Sequence, residues 1–204
     1  MRILVVAATP FEVEELHSVI KTEDLELITT GVGMVATAFA LGKHLAGNSY
    51  DLAINLGIAG SFDRDIALGE VVEVTNDRFS ELGAEDGEDF LSVDQLGFGA
   101  STFNSTYQLP ANFGLKKVNA ITVNTVHGRD ESITKISSDT QLESMEGAAF
   151  FYACQMAGVP AIQIRAVSNY VERRNRDAWQ IGLAIKNLNT FAVDFLTGKN
   201  SPLQ

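Results

Sequence analysis

The 204-residue chain is 46% hydrophobic and 20% charged, the balance of a soluble globular protein long enough to bury one core. Its net charge of −11 leaves no basic surface for a nucleic acid or an anionic membrane, and the cluster Arg173, Arg174 and Arg176 is too small to offset it. A single cysteine, Cys154, excludes a disulfide framework and a cysteine-rich metal site, and no apolar run approaches the ~20 residues that span a bilayer.

The amino-terminal stretch MRILVVAATP is unlike a signal peptide and predicts a cytosolic protein. Residues 2–8 form a continuous apolar run, the mark of a strand buried on both faces. A helix is predicted over 9–20, with Thr9 as N-cap and Pro10 at its first position. A second strand follows in LELITTGVG, then a helix over 34–47 closed by Gly47, and a third buried strand in YDLAINLGIAGSF. GEVVEVTNDRF alternates and reads as a longer strand. From 81 to 116 acidic residues, Gly, Ser, Asn and Thr dominate, and loops are expected.

Beyond that stretch, KKVNAITVNTV reads as a strand, ESITKIS as a short helix and QLESME as a short strand. GAAFFYACQMAG is a helix ending at Gly158, with Cys154 on its apolar face. VPAIQIRAVS is a strand, and 177–198 a long closing helix. Strands alternating with helices predict one α/β domain over 1–198, a three-layer αβα arrangement around a mixed, twisted sheet, with a flexible tail at 199–204.

Four strand ends deliver polar residues or glycines to one edge of such a sheet, where ligands bind in open α/β folds. In ATPFEVEE, Glu12 lies one turn into the first helix, either as a charge complementing the helix dipole or as a group doing chemistry. In NLGIAGSF, Gly57 and Gly60 permit a close backbone approach or simply a tight turn, and the GK[ST] ending of a P-loop is absent. In LESMEGAAF, Glu146 opens a helix beside Met145, as a dipole charge or as an acceptor for vicinal hydroxyls. In RAVSN, Arg165 inside an apolar strand requires a partner, with Glu12 and Glu146 among those on offer. His127 ends a strand near this edge and reads as a structural or solvent-facing imidazole.

The set EVEEL, TGVGMVATAFA, INLGIAGSF, GEVVEV, SMEGAA and RAVSN, in this order over residues 1–80 and 117–197, resembles the nucleoside phosphorylase/hydrolase superfamily. Within it the chain is most similar to the nucleosidase branch, which comprises methylthioadenosine/S-adenosylhomocysteine nucleosidase and futalosine hydrolase. The resemblance implies that Glu12 activates the attacking water and that Glu146 holds the ribose 2′- and 3′-hydroxyls, with Met145 packed on the sugar. It places Gly57, Ala59 and Gly60 in the turn lining sugar and base. Ser168 and Asn169 face the purine, Arg165 supports that region, and Gly128 and Arg129 fall where relatives contact the base. It further implies a homodimer whose partner closes the 5′ pocket, and no cofactor or metal.

Phosphate as attacker demands cations or a nest of backbone donors. Related phosphorylases carry arginine at the first loop and just before the glycine turn, where this chain has ATPFEVEE and Asn55, so water is the expected nucleophile. Methylthioadenosine nucleosidases carry an aspartic acid where Asn169 stands. A protonated Asp matches the donor and acceptor of adenine's edge, whereas an amide NH₂ donates to the O6 and N7 acceptors of a 6-oxopurine. SMEGAA, and SNYVE followed by an arginine-rich loop and Trp179, resemble futalosine hydrolase, whose substrate carries hypoxanthine and a benzoate. That carboxylate would be met by one of Arg173, Arg174 or Arg176, unless these are a solvated loop.

Overall fold

The computed structural model describes residues 1–18 and 24–198, so the tail expected at 199–204 lies outside the described residues. In chain order the elements are β1 (Ile3–Ala7), a 3-10 helix (Pro10–Ser18), β2 (Leu25–Thr29), α1 (Met34–Leu45), β3 (Leu52–Ser61), β4 (Val71–Phe79), β5 (Gly83–Asp86), β6 (Asp89–Ser92), β7 (Thr102–Asn104), β8 (Lys116–Thr122), α2 (Asp130–Ile133), β9 (Leu142–Ser144), α3 (Gly147–Ala157), β10 (Ala161–Tyr170) and α4 (Ile181–Thr197).

The continuous apolar runs became central strands. β1 is parallel to β2 and β3, and β10 lies parallel to β3 along its whole length. Period two then sorts their side chains. Ile3, Val5, Ile54, Leu56, Ile162 and Ile164 pack against Leu188 and Phe191 of α4, while Leu4, Val6 and Ala53 pack against Leu41 of α1 and Phe150 of α3. The three-layer expectation is met. Cys154 belongs to the second of these cores, where burial pushes its thiol up to about 12.

The sheet does more than twist. The first half of β3 pairs with β1, whereas Gly60 and Ser61 at its end pair antiparallel with β9. β10 is antiparallel to β4, β4 is parallel to β8, and β8 is parallel to β9. The strands β3, β10, β4, β8 and β9 therefore close a ring, with β1 and β2 as an outward extension.

Several expected boundaries move. The first helix is a 3-10 helix interrupted at Val13 (φ −132°, ψ 19°), and Val19 and Ile20 of the expected 9–20 segment lie outside the described residues. Thr9 does not cap it in the expected way, because its hydroxyl donates to the Glu12 carboxylate instead. β2 ends at Thr29 rather than in the glycines, and β8 ends at Thr122 rather than near 126. α1 closes at Leu45, before Gly47, and α4 begins at Ile181, after a separate 3-10 turn at Arg176–Ala178. The stretch read as loops holds the β5–β6 hairpin and β7, which pairs with the outer part of β4.

Two strands carry a β-bulge. On β10, Val167 pairs with Ala59 and Asn169 with Gly60, so Ser168 is the extra residue. On β4, Val74 pairs with Val118 and Asn76 with Asn119, so Thr75 is extra. Because side chains alternate, each bulge turns the residues beyond it to the other face. On β10 this sends Asn169 to the face of Gly60, away from the row of Arg165 and Val167.

Candidate active site

A cleft of about 290 Å³ opens where the carboxyl ends of β1, β3, β9 and β10 meet, lined by Thr9, Glu12, Ala59, Gly60, Met145, Glu146, Ser168 and Asn169, among others. An adjoining pocket shares Gly60, Val126, Glu143, Asn169 and Trp179 with it and adds His127, Gly128, Tyr170, Glu172 and Arg174. Most of the residues singled out in the sequence thus converge. Gly57 and Arg165 lie directly beneath the cleft, and Arg129 is exposed and lines neither cavity.

Glu12 is buried. Its Oε2 accepts from the Thr9 backbone N–H and hydroxyl, both at 3.0 Å, and its Oε1 from the Ile58 N–H at 3.2 Å. A carboxylate offers about four lone-pair sites, so these donors leave one on Oε1. The tight 3-10 geometry sets Thr9 and Glu12 against one another and holds the carboxylate over β3.

Glu146 sits at the N-cap of α3, and its Oε2 accepts from the Met145 N–H at 3.3 Å. Its Oε1 accepts from the Gly33 N–H at 2.9 Å. Gly33 has φ 96°, a conformation that glycine adopts readily and that turns this N–H toward the carboxylate. Each Glu146 oxygen keeps a lone pair, the arrangement that two vicinal hydroxyls require.

Asn169 is oriented by its neighbours. Its Oδ1 accepts from the Ser168 hydroxyl at 2.8 Å, and its Nδ2 donates to the Tyr170 carbonyl at 3.2 Å. One Nδ2 hydrogen remains. A Cβ on Gly60 would lie 3.2 Å from that nitrogen, so the absent side chain clears its approach to the cleft.

Arg165, 1% exposed, has neither of the expected ionic partners. Its Nε donates to Gln163 Oε1 at 2.9 Å and its Nη2 to Asn55 Oδ1. These side-chain carbonyls take two of the five guanidinium N–H groups, and no ion pair joins Arg165 to Glu12 or Glu146. Gln163 in turn donates to Asp77 Oδ2 at 2.9 Å. Burial raises the Asp77 carboxyl to about 6, against the lowering effects of Gln163, Thr122 and the charge of Arg165.

Sequence reading missed Glu143, which is buried on β9 and lines both cavities beside Asn169. It accepts from the His127 backbone N–H at 3.1 Å and pairs with His127 Nδ1 at 2.6 Å. Burial raises its carboxyl above the ordinary range, while the His127 contacts lower it. The signal for it was present: a charge in a strand otherwise reading as buried, LES, requires a nearby donor. Arg174 and Arg176 lie over the Trp179 ring, at 5.3 and 5.9 Å from its centroid.

Glu12, Glu143 and Glu146 line the cleft, and among the described residues no lysine or arginine does. Such a surface stabilises a developing cation and repels an anionic attacker. Carboxylates and a glycine turn at the carboxyl ends of a ringed mixed sheet place the molecule in the nucleoside phosphorylase class, and the profile of the Phosphorylase superfamily matches residues 122–197. The chain is similar to futalosine hydrolase of Streptomyces coelicolor, 34% identical over 190 residues that span 87% of this chain and 79% of that one. In fold it is similar to futalosine hydrolase of Helicobacter pylori, with TM-score 0.81 at 12% identity over 98% of each chain. It is also similar to the methylthioadenosine/S-adenosylhomocysteine nucleosidase of Colwellia psychrerythraea in complex with adenine, with TM-score 0.80 at 21% identity over 97% of this chain and 95% of that one. The chain belongs to the futalosine hydrolase family of this superfamily.

Proposed function

We propose that the protein hydrolyses the N-glycosidic bond of a 6-oxopurine nucleoside, foremost futalosine, giving hypoxanthine and dehypoxanthine futalosine in menaquinone biosynthesis. The observation that carries this reading is the cleft's wall of carboxylates around Glu12, with no basic side chain lining it among the described residues. Water binds the free lone pair of Glu12 Oε1 and gives up a proton there as it attacks the anomeric carbon. The sugar passes through an oxocarbenium-like state, which the surrounding carboxylates favour. Glu146 accepts the 2′- and 3′-hydroxyls, Met145 packs on the sugar, and Gly57 to Gly60 form the floor. Asn169, held by Ser168, donates a hydrogen bond to the departing purine, which leaves as its anion and takes a proton from solvent, with Gly128 at the base end. The reaction runs in the cytoplasm and uses no cofactor.

Purified protein given futalosine, methylthioadenosine or inosine, with and without phosphate, tests this by chromatography of the free base. Hypoxanthine should appear from futalosine at a rate indifferent to phosphate. Faster release of adenine would make the protein a methylthioadenosine/S-adenosylhomocysteine nucleosidase, and a phosphate-dependent rate would make it a phosphorylase.

The same reading includes a homodimer. Val35, Phe39, Phe98 and Met156 are 78%, 74%, 81% and 62% exposed, and Met34, Val35, Phe98 and Tyr152 border an apolar groove of about 540 Å³. An apolar face of this extent marks an interaction site. It reaches the cleft through Val32, 57% exposed and part of the cleft wall, so a second copy seated there closes the open side of the site. Light scattering should give twice the monomer mass at micromolar protein, and Val35→Asp should yield a monomer whose KM is at least tenfold higher. A wild-type monomer with full activity would remove the dimer from the reading.

A further inference from the structure

Beneath the cleft a single buried carboxylate connects to both halves of the site. Asp77 is fully buried on β4, in a stretch where plain alternation would turn it away from Val72 and Val74. The bulge at Thr75 reverses that: Val74 pairs with Val118 and Asp77 with Ala120, so Asp77 joins their face. Gln163 and Arg165 share this face, because they pair with Val74 and Val72 on the other side of β4.

Two arms leave Asp77. Its Oδ2 accepts from Gln163 Nε2 at 2.9 Å, and Gln163 Oε1 accepts from Arg165 Nε at 2.9 Å. A Cβ on Gly57 would stand 1.9 Å from Arg165 Nη1 and 3.1 Å from Glu12 Oε1, so the guanidinium and the Glu12 carboxylate converge on the space that the glycine leaves open. On the other arm, Oδ1 accepts from the Thr122 hydroxyl at 2.9 Å, and that hydroxyl accepts from the Ala148 N–H at 2.7 Å in the first turn of α3. Glu146 occupies the N-cap position of the same helix. A Cβ on Gly147 would lie 2.0 Å from Asp77 Oδ2, so only glycine lets the helix start come this close.

We propose that Asp77 is a positioning residue for the reaction, aligning Arg165 beneath Glu12 through Gln163 and the helix start that carries Glu146 through Thr122. The inference rests on the reading of Glu12 and Glu146 given above. Its chemistry lies in polarity. A carboxylate is acceptor-only, so it fixes the Gln163 amide with NH₂ toward Asp77 and oxygen toward the Arg165 Nε–H. An asparagine at 77 whose oxygen still takes the Thr122 proton presents its NH₂ to Gln163. The Gln163 amide then either meets NH₂ with NH₂ or turns over and sets its own NH₂ against Arg165.

Steady-state kinetics on the nucleoside hydrolysed in the assay test this. Asp77→Asn should lower kcat at least twentyfold, and Asp77→Asn with Gln163→Glu should restore kcat to within fivefold of wild type, because the exchange puts an acceptor back against Arg165. The arms should separate. Gln163→Met should lower kcat at least tenfold with KM within threefold, and Thr122→Val should raise KM at least fivefold with kcat within threefold. If Asp77→Asn does not fold, these two single variants decide alone. Kinetics of Asp77→Asn within twofold of wild type, no recovery in the folded double variant, or arms without the kcat and KM split would overturn the proposal. Loss of activity in Glu12→Gln alongside such results would leave the hydrolase reading standing, whereas an active Glu12→Gln would first remove the role of Glu12 on which this inference rests.

Discussion

Glu12→Gln is expected to lower turnover about a thousandfold while the nucleoside still binds, within the range ~10²–10⁴ that general-base catalysis contributes. Thr9 and Ile58 occupy three acceptor sites of this carboxylate and leave the last on Oε1, so a water there meets a group able to take its proton. A glutamine offers one oxygen and an NH₂ that accepts no proton. The substitution also removes one of the negative charges facing the cationic sugar, which adds to the loss. Glu146 and Asn169 are untouched, so affinity for the nucleoside should stay within about threefold. Single-turnover rates and calorimetric binding, with circular dichroism to confirm the fold, separate the two effects. Turnover within tenfold of wild type would take Glu12 out of the mechanism.

The apolar runs of β1, β3 and β10 made the layered fold legible, because a strand buried on both faces leaves a pattern that little else does. That Glu12, Glu146 and Asn169 share one cleft was legible for a related reason: each stands at a strand end or within five residues of one, on the same edge of the sheet. Ring closure was not, since it depends on β3 changing partners halfway along, and no periodicity encodes a partner. The β5–β6 hairpin escaped notice because its strands are largely exposed and carry no apolar alternation. Asp77 was hidden by the Thr75 bulge, which leaves VVEVTNDRF looking like an ordinary half-exposed strand while turning one of its acids into the core. The partner of Arg165 was hidden differently. A search for counter-charges passes over the Gln163 amide two residues earlier, although period two places it on the same face.

Asn169→Asp should shift base preference toward adenine, lowering the ratio of kcat/KM for a 6-oxo over a 6-amino nucleoside about thirtyfold, or ~2 kcal/mol. The Ser168 hydroxyl donates to Asn169 Oδ1 and the Tyr170 carbonyl accepts from Nδ2, so the surroundings hold the amide with its remaining N–H available to the base. An ionised aspartate at 169 presents only acceptors, both to the O6 and N7 of a 6-oxopurine and to the Tyr170 carbonyl. Those repulsions favour its protonated form, and a single O–H cannot serve the Tyr170 carbonyl and the purine N7 at once. Directed to N7, it leaves the other oxygen to accept from an adenine 6-amino group, whereas the O6 of hypoxanthine would face that oxygen as a second acceptor. Such unpaired polar contacts in a desolvated pocket carry large discrimination. Competition between the two nucleosides in one reaction, read as the hypoxanthine-to-adenine ratio, measures the shift directly, and a ratio within threefold of wild type would mean that the purine edge is read elsewhere. Another polar group on the wall of both cavities is Glu143. Its carboxylate is acceptor-only and already committed to His127, so it can complement a donor on the base but cannot supply the N–H that O6 and N7 require.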